Sequence, residues 1–135
     1  MTRHEQREQV LYLLFEQCFR PDESMSDIID ASIAAREMEP TEYILKTARE
    51  SQMHEQELDE LFEKHLTGWK KERLPKVILC ILRLSLYELR YCGEEIPAAA
   101  AINEAVELAK TYGSDDDWSF VNGILSSVAK DLELS

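Results

Sequence analysis

Residues 75–91 read PKVILCILRLSLYELRY. On a helical wheel of about 100° per residue, the apolar positions of this run point in nearly every direction. A helix of that kind has no face to give to water. It must lie in the middle of the fold, and the rest of the chain must supply amphipathic helices to surround it. With 135 residues, 44% hydrophobic and 31% charged, and only 4 Gly and 4 Pro, residues 1–135 suit one helical globular domain.

The flanking sequence supplies those helices. Thr2 and Glu5 have the spacing of a capping box, and Val10, Leu11, Leu14, Phe15 and Cys18 then recur at helical intervals until Pro21. Ser24 with Asp27 opens a second helix carrying Ile28, Ile29 and Ile33, which ends before Pro40. Thr41 caps a third through Tyr43, Ile44 and Ala48, and a fourth spans about residues 55–66 until Gly68. After the central run, IPAAAAINEAVELAKTYG puts Pro97 in a first turn and Gly113 at a C-terminus, with Ile102, Ala105, Val106 and Ala109 inward. Ser114 and Asp117 open the last helix, with Val121, Ile124, Leu125 and Val128 inward. No strand-like alternation or internal repeat is present. The expected fold is all-α, with about seven helices.

Charge and motif content bound the function. The formal net charge is −12, a field that opposes any polyanion, so a nucleic-acid partner needs a local cationic edge. Cys18, Cys80 and Cys92 show no metal or disulfide spacing and read as reduced thiols. The opening MTRHEQREQ has no apolar signal region, and no run approaches the roughly 18 apolar residues of a membrane span. A soluble cytoplasmic chain with no membrane contact is expected. HExxH, CxxC and glycine-rich phosphate loops are absent, and the histidines are scattered. The chain is therefore expected to be no enzyme, with no catalytic residues, no metal and no cofactor.

Two constellations remain. Arg3, His4 and Arg7 are cations in the first turns of a helix, where they oppose the macrodipole. Arg3 and Arg7 extend the line of Val10, Leu14 and Cys18, so the apolar stripe turns cationic as it leaves the core. They either pair with neighbouring acids such as Glu8 or form an arm for phosphates. At the other end, SDDDWSFVNGIL (114–125) joins three aspartates, two aromatics and a mid-helix glycine. Acids in a first turn complement the dipole and need no further reason. Trp118 lies nearer the centre of the apolar stripe and reads as core. Phe120 lies at its boundary, where a ring either packs or stacks on an unpaired base. Gly123 points away from the stripe, so either a second helix layer or a ligand approaches the backbone there. Lys110, in the last turn of the preceding helix, pairs with Glu107 or reaches the same edge as Phe120.

Taken with their order, these segments resemble the NusB family of bacterial transcription antitermination factors. The resemblance rests on ILRLSLYEL (81–89), on IP followed by INEAVELAK (96–110), and on FVNGIL (120–125). RHEQREQVLYLLF (3–15) resembles the family's arginine-rich first helix and WKKERL (69–74) its lead into the central helix, while residues 20–66 match only in pattern. The resemblance implies two small antiparallel helical bundles, no catalysis, and binding of single-stranded boxA RNA of rRNA leader transcripts. It also implies a joint partner, the ribosomal protein that doubles as NusE, within an RNA polymerase antitermination complex. Carried onto matching positions, the RNA surface comprises Arg3, His4, Arg7, Lys110, Asp116 and Phe120.

Two departures modify that expectation. In residues 1–20 the three arginines are balanced by Glu5, Glu8 and Glu16, so RNA binding by this chain alone is expected to be weak. Where the family commonly places an acidic-basic pair facing the ribosomal protein, this chain has Ile78 and Leu79. Those two residues imply a more apolar partner contact or a homodimer. Arg83 and Glu88, in the same helix, are expected to pair internally. The alternative function is a protein-interaction module or homodimer on the same fold with little RNA affinity. The RNA-guiding segment of an rRNA methyltransferase is a third reading, opposed by the lack of a cofactor-binding domain in these residues.

Overall fold

Each of the first three helices begins at a hydroxyl that accepts a backbone N–H. The computed structural model describes residues 1–68 and 70–134. In it Thr2 Oγ1 accepts from Glu5 N at 3.1 Å and Glu5 Oε1 accepts from Thr2 N at 2.9 Å, closing the capping box of α1 (Arg3–Cys18). Ser24 Oγ accepts from Asp27 N at 3.1 Å to open α2 (Met25–Ala34), and Thr41 Oγ1 from Ile44 N at 3.2 Å to open α3 (Glu42–Met53). His54 alone separates α3 from α4 (Glu55–Glu63) and stacks on Tyr91, ring centroids 4.5 Å apart. A 3-10 turn at Lys71–Arg73 leads into α5 (Lys76–Tyr91), followed by α6 (Ala98–Tyr112) and α7 (Asp117–Asp131). The described residues hold these seven α-helices and no strand. Trp69, which opens WKKERL, lies outside the described residues.

α1, α2 and α3 pack on one another, and α7 packs on α4 and α6. The run that is apolar all round forms α5, which touches α1, α3, α4, α6 and α7, so the two groups share one helix and one core. Ile78, Ile81, Leu82, Leu84, Leu86 and Leu89 are each at most 3% exposed. At roughly 1.5–3 kcal/mol for each large apolar side chain buried, this helix anchors the fold. Ile78 is therefore a core residue, 1% exposed, and does not face a partner or a second copy as the sequence suggested. Leu79 stays half-buried at the edge of the core. On α1 the stripe is rotated slightly from its expected course: Leu13 is inside and Phe15 outside.

Two charge clusters tie α5 to its neighbours. Arg83 donates through Nε and Nη2 to Asp59 of α4 at 2.9 and 2.8 Å and lies 3.0 Å from Glu55. Glu88 accepts from Arg7 of α1 at 3.0 Å through Nε and through Nη2, and from the Tyr43 hydroxyl of α3 at 3.1 Å. Arg83 and Glu88 thus do pair inside the protein, but each with another helix and not with one another. Each buried carboxylate is met by a two-pronged guanidinium, the geometry that offsets desolvation best.

Candidate nucleic-acid interface

The expected site residues fall into three places. The first is the start of α1. Arg3 is exposed, and its guanidinium carbon stands 4.0 Å above the centre of the Tyr43 ring. His4 faces α6 instead, with Nδ1 3.1 Å from Glu104 Oε2. Arg7 does not belong to a solvated arm: it is 5% exposed and held by Glu88. The stripe on which Arg7 lies continues into the core one turn further than expected, because α5 brings a carboxylate to meet it. Burial pulls the Arg7 guanidinium down, but the hydrogen bond and charge of Glu88 outweigh it and the group is held above its ordinary value. Burial, followed by the nearby Glu88 charge, raises the Tyr43 hydroxyl, which remains a neutral donor. Arg3, Gln6, Tyr43, Lys46 and Pro97 line a cavity of about 730 Å³ with Arg7 at its wall.

The second place is the joint between α6 and α7. Gly113 ends α6 in a space too tight for any side chain, since a Cβ would lie 2.7 Å from the Ala109 carbonyl oxygen and 3.0 Å from Asp117 Cβ. Asp117 Oδ2 accepts from Ser114 N at 2.7 Å, so one of the three aspartates is consumed in closing the turn. Asp116 is the cap residue of α7, is exposed, and makes no side-chain cap bond. This short turn returns the chain so that Trp118 lies under Lys110, Nζ to ring centroid 5.2 Å. Trp118 is 40% exposed and is not core; the wheel centred the α7 stripe slightly too far toward it. Lys110 also keeps a loose pair with Glu107 at 3.8 Å.

Phe120 defines the third place. It is half-buried and lines a cleft with Lys64 and His65, which follow α4, and with Gly123, a cleft that Lys110 does not line. Arg7 and Phe120 thus lie in separate cavities. Three residues join these candidate surfaces unexpectedly: Trp118, which the sequence assigned to the core, and Tyr43 and Lys64, which only tertiary packing brings in.

Chemically, the first two places pair an exposed or half-exposed aromatic ring with a cation, which suits an unpaired base beside its phosphate. Among the described residues no cluster of three or more His, Cys, Asp or Glu side chains could hold a metal ion, and no helix is long and apolar enough to cross a membrane.

The model of the NusB family matches residues 4–130. The transcription antitermination protein NusB of Bacillus subtilis is 38% identical over 136 residues, covering all of both chains. A crystal form of T. maritima NusB superimposes with a TM-score of 0.83 at 31% identity, covering 97% of this chain and 92% of that one. A structure of antitermination factors NusB and NusE in complex with dsRNA has a TM-score of 0.80 at 26% identity, with 97% of this chain and 99% of that one covered.

Proposed function

This chain belongs to the NusB family of transcription antitermination proteins, which are not enzymes, and from that premise we propose that it binds single-stranded boxA-type RNA of rRNA leader transcripts jointly with the ribosomal protein NusE. It does so in the cytoplasm, as part of the RNA polymerase antitermination complex. The observation that carries the RNA reading is the pairing of rings with cations on a body of net charge −12: Arg3 over Tyr43 and Lys110 over Trp118. The likeness to a NusB solved with NusE and dsRNA supports NusE and RNA as the classes of partner.

The residue roles follow from exposure. Arg3 and Lys110 meet phosphates, Trp118 and Phe120 stack on bases, and Asp116 accepts from an exocyclic base amine. His4, on α1 and held against Glu104 of α6, borders the path. Arg7 acts through Glu88 and Tyr43, holding the ring on which Arg3 rests. A protein partner has its own surface. Phe15 and Phe19 are 38% and 60% exposed, stack edge to face at 5.1 Å, and have Lys76 5.8 Å from the Phe19 ring. This patch, with Leu79 one turn after Lys76 on α5, takes over the contact that the sequence assigned to Ile78 and Leu79. The same patch favours the second reading, a protein-interaction module with little RNA affinity, over a homodimer built on Ile78.

Fluorescence anisotropy with a short boxA-type RNA, with and without the ribosomal protein, separates the two readings. Trp118→Ala is expected to cost about 1–3 kcal/mol of RNA binding and Arg3→Glu a comparable amount. If neither change alters RNA affinity while Phe19→Ala abolishes capture of the ribosomal protein, the interaction-module reading stands in its place.

A further inference from the structure

α1 and α5 meet at two sulfurs. Cys18, the last residue of α1, has its Sγ 3.5 Å from Sγ of Cys80 on α5. Cys18 is half-buried and reachable by small solutes, whereas Cys80 is wholly inside the core. The Cys80 thiol donates to the Cys18 sulfur and brings it below the ordinary thiol range; burial opposes this, and the charges of Arg83 and Lys76 assist. The same contact, with deeper burial, keeps Cys80 protonated. One sulfur is thus a reachable nucleophile and the other a shielded thiol aimed at it. Cys92, the third thiol, follows the far end of α5.

We propose that Cys18 and Cys80 are an oxidative modification site, at which a peroxide converts the two thiols into a disulfide joining α1 to α5. The Cys18 thiolate attacks one oxygen of hydrogen peroxide and the O–O bond breaks, leaving a sulfenic acid. The hydroxide released, with the proton that Cys18 gave up, makes one water. The Cys80 sulfur then attacks the Cys18 sulfur: the S–S bond forms, the S–O bond breaks, and the departing hydroxide takes the Cys80 proton as a second water. The sulfurs lose the two electrons that the peroxide gains. In a reducing compartment such a bond is reversible.

A disulfide is about 2.0 Å long, so the sulfurs must close by about 1.5 Å from their present 3.5 Å. Cys18, at a helix end, gives way more readily than Cys80 in the core. Phe19 is the next residue, and Lys76, 5.8 Å from its ring, stands one turn before Cys80. The bond therefore draws in the Phe15–Phe19 patch, and oxidation weakens capture of the ribosomal protein; this consequence rests on the partner reading above.

The test treats the full reduced chain with hydrogen peroxide, blocks free thiols with iodoacetamide and digests without reductant. Mass spectrometry is expected to find a peptide joining Cys18 to Cys80, lighter than its two parts by two hydrogens, with Cys92 alkylated. Dithiothreitol should abolish it. In Cys80→Ala the same dose should carry Cys18 on to sulfinic acid, and in Cys18→Ser it should leave Cys80 a free thiol. Oxidised wild type should capture the ribosomal protein roughly fivefold or more weakly, with recovery in dithiothreitol. Wild-type Cys18 found as sulfinic acid beside a free Cys80, or linked to a second chain, overturns the site. A linked peptide without a change in capture overturns the tie to the patch. A reduced chain that captures no ribosomal protein removes the partner reading, while the linked peptide still decides the site.

Discussion

Arg7 shows how a single side chain acquires a role that its neighbours in sequence do not announce. It is 5% exposed, and its counter-charge Glu88 comes from a different helix. Removing one member of such a pair strands the other in the core. Arg7→Ala is expected to cost about 3–5 kcal/mol in a urea titration, and a loss below about 1 kcal/mol would show that the pair is solvated. Ile78→Glu should likewise unfold the chain without altering its oligomeric state, which light scattering beside a melt will distinguish. The thiols behave differently from one another for a similar geometric reason. The Cys80 thiol, 3.5 Å away, hydrogen-bonds to Cys18 and outweighs burial there, bringing Cys18 down to about 6, with Arg83 and Lys76 assisting. The same contact and its deeper burial push Cys80 up, and burial pushes Cys92 up. Cys18 should therefore react first with iodoacetamide. Its rate should rise through about pH 6 and then level off, whereas Cys92 should still be accelerating above pH 8. Peptide mass spectrometry over a pH series reads this, and Cys80→Ala should erase the difference.

At the level of elements, most helix starts were written plainly. Thr2, Ser24 and Thr41 each accept the expected backbone N–H. Thr2→Ala should cost about 0.5–2 kcal/mol and fray the turn that carries Arg3, seen as faster amide exchange at the start of α1. The two glycines near the last helix have opposite meanings that sequence alone does not separate. At Gly113 an added methyl collides with the Ala109 carbonyl oxygen, so Gly113→Ala should destabilise the α6–α7 turn by about 1–3 kcal/mol. At Gly123 the methyl meets open space, so Gly123→Ala should stabilise α7 by up to about 1 kcal/mol. Thermal melts of the two variants will show whether the signs differ as the neighbours demand. Phe120 is the half-buried boundary ring the sequence suggests, whereas the sequence places Trp118 in the core because a small error in the centre of a helical stripe moves a residue across its edge.

For the molecule as a whole, the decisive quantity is a net charge of −12 on a chain whose proposed ligand is a polyanion. Arg7 is spent on Glu88 and Lys110 is shared with Glu107, which leaves about two or three phosphate contacts, so log affinity for single-stranded RNA should fall with log salt at a slope of only about −1.5 to −2. Between 50 and 200 mM salt that is roughly a tenfold loss, and a drop of a thousandfold would mean that many more cations are engaged. Weak, salt-tolerant binding gains most from a tethered second binder, so the ribosomal protein should tighten RNA binding far more than it changes the slope.

Some of this protein was settled by the chain alone. A run with no polar face has to be surrounded, and hydroxyls and glycines at helix ends act over three or four residues, so helix number, helix starts and the central place of α5 follow from local order. Family likeness, too, is carried by short words in sequence. Tertiary structure decided which charges are spent and which are offered. Arg7 and Arg3 look alike one turn apart, and only the arrival of Glu88 and Tyr43 from distant helices makes one a core ion and the other a surface cation. The physical reason is that the cost of a buried charge depends on partners far along the chain, whereas the geometry of a helix depends on neighbours a turn away.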